Sequence, residues 1–183
     1  MALTEIEQVR EQFRIERLSA ESKTESFFCS IEEYTQFLTK KAFEYQERHI
    51  SNTYLLIDRD TTNIVAYLSL IADSIRLTDS EKKKCGMDSI SFYQYSAMKI
   101  AKLAVNQEYK KKYLHIGTFM IKIALSIAVE CDRDHISCRF MTCDADIENN
   151  PTVKEFYTKN GFEFNEKPNK RKKTVSMRRD LFS

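Results

Sequence analysis

The chain has 183 residues, 42% apolar and 31% charged, with two prolines, three glycines, 12 phenylalanines and nine tyrosines. That length supports a domain with a sizeable core, and the composition excludes disorder, collagen-like repeats and a long flexible linker. Lysine and arginine number 29 against 27 aspartates and glutamates, and the formal charge of +2 is too small to imply nucleic-acid binding by itself.

The first eighteen residues carry acidic side chains and lack the apolar core of a secretion signal. No stretch reaches the roughly 18 apolar residues of a membrane span, so no membrane association is expected. Five cysteines, Cys29, Cys85, Cys131, Cys138 and Cys143, include no CxxC pair and stand beside only three histidines. An odd count without metal-ligand spacing predicts reduced thiols, a cytoplasmic protein and no metal site. Positive charge gathers at Lys82 to Lys84, at Lys110 to Lys112 and at Lys170-Arg171-Lys172-Lys173, of which the first and last read as solvated faces or loops.

Residues 3–13 suit a short helix, followed by FRIERL as a first strand or the approach to one. Ser30 with Glu33 forms a capping-box pattern ahead of Tyr34, Phe37, Leu38, Lys41, Ala42 and Tyr45, which predicts a helix ending near Arg48 or His49. TYLLID at 53–58 and NIVAYLSLIA at 63–72, separated by the turn-like 59–62, predict an antiparallel hairpin. Residues 73–96 are polar and irregular, with a turn at Cys85-Gly86, and read as a loop in which 91–95 packs as a lid.

Residues 97–106 read as a strand, followed by the basic loop EYKKKYLH. Ile116, Phe119, Met120, Ile123, Ala124, Ile127 and Ala128 then recur at helical spacing, and Ile121, Leu125 and Val129 widen the apolar face, predicting a largely covered helix. Residues 136–144 are a strand candidate. Asn150 as N-cap, Pro151 at the first helical position and Gly161 past Asn160 delimit a short helix, and GFEF with TVSMRRDLF forms a closing antiparallel pair across the basic turn. This order predicts an α/β fold, a mixed and mostly antiparallel sheet flanked by helices, in one domain over 1–183.

The chemistry gathers where strand Leu103-Ala104-Val105 leads through Lys110, Lys111, Lys112, Tyr113, Leu114, His115 and Ile116 to Gly117 and Thr118 at the start of the long helix. Free N–H groups at a helix start can cradle a pyrophosphate, and a glycine lets a phosphate approach the backbone. A glycine that merely permits a turn is the bland alternative. Neither a Walker A loop nor a GxGxxG fingerprint is present, which ranks nucleotide hydrolysis and NAD-linked redox low.

Lys112 to Gly117 resembles the acyl-CoA loop of the GCN5-related N-acetyltransferase (GNAT) family, Gln/Arg-x-x-Gly-x-Gly/Ala, and Asn150 through Phe162 is similar to the family's N-x-x-V-x-x-F-Y-x-x-x-G-F segment. The resemblance is specific over about 98–164 and looser over 27–72. The chain departs from the pattern at His115, which replaces the inner glycine, and in a loop about two residues longer than usual. The resemblance implies the GNAT fold, acetyl-CoA as cosubstrate, and acetyl transfer to a primary amine by direct attack. It places the pantetheine arm on the backbone of Leu103, Ala104 and Val105, the phosphates on Lys112, Tyr113, Leu114, His115, Ile116, Gly117 and Thr118, and Asn150 on the cofactor side. It puts Tyr157 at the thiol, where a phenol with an ordinary pKa of about 10 stays protonated and can donate as the thiolate leaves. A core or rim tyrosine is the alternative.

A backbone N–H such as that of Val105 would face the carbonyl oxygen. No carboxylate announces itself as a base; Glu32, Glu33, Asp144 and Asp146 are the candidates, through a water. His115 could bond a phosphate, His49 and His135 belong to helix-end or loop surroundings, and Cys138 and Cys143 read as buried thiols. Residues 32–70 also resemble the toxin-like branch that pairs with small antitoxins and acetylates aminoacyl-tRNA. That branch implies tRNA and an antitoxin as partners, and many family members form homodimers. A catalytically inactive module that binds CoA or a protein is the reading from another class, motivated by the replaced glycine and the missing base.

Overall fold

The computed structural model describes residues 3–166 and 173–183, so the basic run at 170–172 lies outside the described residues. Strand β1 (Thr4–Glu5) and a 3-10 segment over Ile6–Gln12 stand where a helix over 3–13 is predicted. The helical run breaks at Val9, which has φ −121, while Ile6 is fully buried and Thr4 and Glu5 pair with a strand distant in sequence. Strand β2 (Phe13–Arg17) follows as expected. The helix predicted from 30 comprises α1 (Glu32–Gln36), a π turn (Phe37–Lys41) and α2 (Ala42–Glu47). Ser30 does not cap it: the N-cap is Ile31, without a side-chain bond, and the nearby Cys29 N–H is taken instead by the Thr35 hydroxyl at 3.1 Å.

The predicted hairpin is β3 (Asn52–Asp58) against β4 (Ile64–Arg76), antiparallel. The loop predicted over 73–96 is largely regular. β4 continues to Arg76, α3 (Asp79–Lys84) follows, and β5 (Gln94–Val105) begins before residue 96. α3 forms because Thr78 and Glu81 make a complete capping box, and it ends at the predicted turn, where Gly86 has φ +66. The basic loop contains a one-turn helix α4 (Gln107–Lys110) and a two-residue strand β6 (Tyr113–Leu114).

The long helix α5 (Ile116–Asp134) buries Ile116, Met120, Ile121, Ala124 and Ala128, whereas Val129, expected on its covered face, is 40% exposed. Strand β7 (Phe140–Asp146) starts later than predicted. The preceding residues close a turn, with the Cys138 N–H on the Asp132 carboxylate at 2.9 Å. The N-cap of α6 (Val153–Lys159) is Thr152 rather than Asn150, while Gly161, with φ +80, ends it as expected. Strands β8 (Glu163–Phe164) and β9 (Thr174–Asp180) close the chain as the predicted antiparallel pair.

The strands hydrogen-bond in the order β2-β3-β4-β5-β7-β9-β8, and β1 pairs separately with β6. β5 and β7 are parallel; the β2–β3, β3–β4, β7–β9 and β8–β9 pairs are antiparallel. Residues divide into two compact units, the first reaching to Ile71 and including Ala101–Ala124, the second comprising Ala72–Ile100 and the residues from Leu125 onward. In the first, Leu18, Phe27, Phe37, Leu38, Ala42, Leu55, Ile57, Ile64, Tyr67 and Ala104 form the core, and removing that apolar surface from water is its main stabilisation. In the second, Ile75, Leu77, Met87, Tyr95, Ala97 and Phe140 pack together, so the former loop contributes Met87 and Tyr95 to a core.

Candidate active site

The start of α5 presents N–H groups that the helix cannot bond to itself, together with the positive end of its dipole. His115 immediately precedes it and accepts the Phe119 N–H at 2.9 Å. Its φ is 60, the left-handed conformation that glycine adopts without steric cost and other residues rarely do. The one position at which this loop lacks the expected inner glycine therefore keeps glycine's backbone shape. Ile116, Gly117 and Thr118 form the first turn of α5, where backbone N–H groups can meet an anion.

Around the loop, Lys110, Lys111 and Lys112 are exposed, and the Lys112 ammonium lies 5.3 Å from the Tyr109 ring centre. Tyr109 stacks on Tyr113 at 6.2 Å and 16°, and Tyr113 meets the edge of Phe13 at 5.3 Å. The nearly buried Tyr109 donates its hydroxyl to Asp58 at 2.7 Å, and burial pushes that phenol up to about 12. Burial alone would raise the Asp58 carboxyl. Hydrogen bonds from Tyr109, from the Thr61 and Asp60 N–H groups and from the Thr61 side chain instead hold it below the usual range. The loop contains α4, which Asn106 caps by accepting the Glu108 N–H at 3.0 Å.

Leu103 is half-buried and Ala104 and Val105 are buried at the end of β5. The parallel ladder pairs Ala97–Ile100 of β5 with 140–143 of β7, and β5 continues to Val105 beyond its last rung. At the other end of the same segment, Asn106 anchors the strand through its N–H on the Val65 carbonyl at 2.9 Å and its amide on the Ile64 carbonyl at 3.0 Å.

In the second unit, Tyr157 is 7% exposed on α6, with its ring edge-on to Phe156 and to Phe162, each at 5.2 Å. Its carbonyl accepts the Asn160 and Phe162 N–H groups, both at 3.0 Å, which fixes the end of the helix around Gly161. Asn150 is exposed, and its side-chain oxygen accepts from the Thr152 hydroxyl at 3.0 Å and the Thr152 N–H at 3.3 Å, a local turn rather than a helix cap.

No family model and no curated protein matches the sequence. Solved structures do. A KacT variant superimposes with a TM-score of 0.74 at 17% identity, covering 91% of this chain and 94% of that one. AtaT complexed with acetyl-methionyl-tRNAfMet gives 0.73 at 16%, covering 90% and 93%. An AtaT variant toxin bound to the C-terminus of the antitoxin AtaR and acetyl-CoA gives 0.71 at 14%, covering 93% and 94%. The fold is that of the GCN5-related N-acetyltransferases.

Within this GNAT fold, the residues read from the sequence divide between the units: Leu103 to Val105 and Lys112 to Thr118 belong to the first, Asn150 and Tyr157 to the second. Sequence reading missed what the lysines of β5 do. Lys99 donates to Asp144 at 2.6 Å with both side chains mostly covered, and Lys102 donates to Glu33 at 2.5 Å while lying 4.4 Å from the Tyr34 ring centre. Glu32 accepts from Gln36 at 3.0 Å, and Asp146 accepts from the Asn149 N–H at 3.1 Å and its side-chain amide at 2.8 Å. All four carboxylates considered as bases thus already accept a hydrogen bond from a protein donor. Cys138 and Cys143 are buried; burial pushes Cys138 up to about 11 and Cys143 further up, so both are inert thiols in this fold. Among the described residues, no helix is long and apolar enough to cross a membrane.

Proposed function

We propose that residues 1–183 form one N-acetyltransferase domain that moves acetyl from acetyl-CoA to a primary amine by direct attack, and that this amine is the α-amino group of an aminoacyl-tRNA. The observation that carries the reading is His115, which stands in front of α5 with φ 60, a left-handed backbone that a glycine at this position would adopt without cost. It answers one of the two grounds for the inactive-module alternative, the replaced glycine; the other is the missing base. The structural likeness to AtaT, whose solved complexes hold acetyl-methionyl-tRNAfMet in one case and acetyl-CoA in another, supports both substrates.

In this reading the N–H groups of Ile116, Gly117 and Thr118, with Lys112, hold the pyrophosphate, and the backbone of 103–105, past the last rung of β5 with β7, receives the pantetheine arm. The amine nitrogen attacks the thioester carbon, and the carbonyl oxygen becomes an oxyanion stabilised by a backbone N–H, that of Val105. Collapse breaks the C–S bond, and the departing thiolate takes the Tyr157 phenolic proton while the new ammonium loses its proton to water, from which the Tyr157 phenolate is reprotonated once the products leave.

Glu32, Glu33, Asp144 and Asp146 each already bond a protein donor, and in this reading the acceptor arrives substantially neutral and needs no strong base. An α-amino group, with an ordinary pKa of about 7.7–8.0, does so near neutral pH, whereas a lysine amine at about 10.4 does not. The same reading gives the chain a small antitoxin as partner and admits a homodimer.

The test uses the purified full chain with radiolabelled acetyl-CoA and charged tRNA, scoring label recovered as N-acetyl amino acid after deacylation. Transfer should occur and fall steeply with salt, as phosphate contacts require. Salt-insensitive acetylation of free amino acids or polyamines would overturn the tRNA assignment. Acetyl-CoA binding without transfer to any amine would overturn catalysis.

A further inference from the structure

The left-handed backbone at His115 needs an account, because histidine pays a steric penalty there that glycine does not. The N-terminal segment supplies one. Thr4 and Glu5 pair in parallel with Tyr113 and Leu114, and the Thr4 N–H donates to the Lys112 carbonyl at 3.1 Å. One residue past the ladder, the Glu5 carboxylate meets His115 Nδ1 at 2.7 Å. The segment is itself anchored just past that contact: Ile6 is fully buried, Glu7 pairs with Lys122 of α5 at 2.5 Å, and Gln12 lies 3.4 Å from the Tyr113 hydroxyl.

We infer that residues 4–7 act as a strap that holds the phosphate loop in its binding shape, with Glu5 the positioning residue that fixes His115 in the left-handed conformation. The inference rests on the acetyl-CoA reading above for its consequence, though not for its geometry. Glycine at this position would hold the turn through its own conformational freedom; here a carboxylate donated from 110 residues upstream restrains a residue that lacks it.

Glu5 touches no substrate in this account, so its loss should appear as weaker acetyl-CoA binding with the rate at saturation unchanged. Glu5→Ala is expected to raise the Kd for acetyl-CoA about threefold, the scale of an exposed pair, and to speed amide hydrogen exchange at 112–118 in the free protein. Glu5→Gln keeps an acceptor for the imidazole N–H and should fall between wild type and Glu5→Ala. Thr4→Pro, which removes the N–H bonded to Lys112, should loosen the same segment further.

The deciding arm is the His115→Gly background. Glycine holds the left-handed turn unaided, so adding Glu5→Ala there should leave both the Kd and the exchange at 112–118 where His115→Gly alone puts them. An equal loss in both backgrounds would overturn the role of Glu5 through His115, as would an unchanged exchange rate in Glu5→Ala. A wild-type protein that binds no acetyl-CoA would sink the functional reading instead, and the exchange measurements would still decide the strap.

Discussion

In the first unit the Glu5–His115 pair stands in solvent, its side chains 38% and 62% exposed, while in the second the Glu81–Arg178 pair is buried to 2% and 4%. Both tie a local element to a strand far away in sequence, but they do so under different physics. The exposed pair is screened by water and adds little energy, so its value lies in selecting one backbone conformation. The buried pair must satisfy every polar atom it brings inside. Glu81 accepts from Arg178 at 2.6 Å, from the Glu166 N–H at 2.9 Å and from the Thr78 N–H at 2.8 Å. Arg178 also donates to the Phe164 carbonyl at 3.0 Å and to Asn165 at 3.1 Å. Such a network makes α3 a structural part of the second unit, whereas the strap in the first adjusts a loop without carrying the fold.

The contrast is sharpest when one partner is removed from each pair. Glu81→Ala takes from a buried guanidinium the carboxylate at 2.6 Å and removes the side-chain half of the α3 capping box, and should cost about 3–5 kcal/mol in denaturant unfolding. Glu5→Ala should cost under about 1 kcal/mol. Similar losses for the two would remove the distinction. Next in size, Tyr157→Phe should slow acetyl transfer about 100-fold with the acetyl-CoA Kd nearly unchanged; an unchanged rate when chemistry limits turnover would leave Tyr157 a packing residue between Phe156 and Phe162.

Gly161→Ala probes backbone strain in the second unit as His115 does in the first. At φ +80, with its new Cβ 3.3 Å from the Arg179 guanidinium, it should destabilise by about 1–2 kcal/mol, read from the thermal midpoint. No loss would mean that the turn relaxes freely.

A further small effect concerns the Tyr109–Asp58 bond, its tyrosine three residues before Lys112. Burial raises Tyr109 to about 12, so its contribution is complete below its ordinary value of about 10 and is lost as pH rises through about 12. Asp58 is held below its ordinary value, so its contribution is present above about 3.9 and is lost as pH falls through the lower folded value. Tyr109→Phe should therefore cost about 1 kcal/mol at neutral pH, with the gap to wild type narrowing at both extremes. A gap that does not change with pH would argue that ring packing on Tyr113 accounts for the loss.

Much of the fold was legible. The apolar period of α5, the alternation and turn of β3 and β4, and Gly161 at the end of α6 are local signals, each contained within a few turns or strands. The Thr78-x-x-Glu81 box was also present in the sequence, and attention to it would have found α3 inside the region read as loop. Ser30 with Glu33 shows the same pattern and caps nothing: the helix starts from Ile31, and the Glu33 carboxylate is taken by Lys102 of a distant strand. Of the site, the order strand, basic loop and helix start was readable, as was the segment around Tyr157; the pairing of Lys99 with Asp144 and Lys102 with Glu33 was not.

By itself, then, the sequence determined the elements whose apolar repeat and end signals lie within one segment, and with them the resemblance to an acetyltransferase loop. Tertiary structure alone decided the conformation of His115, the pairing of β1 with β6, and the union of Glu81 with Arg178 across 97 residues. The reason is that backbone shape at a strained position, strand pairing over long separations and the burial of charge depend on which distant groups meet. Periodicity along the chain carries no record of those meetings.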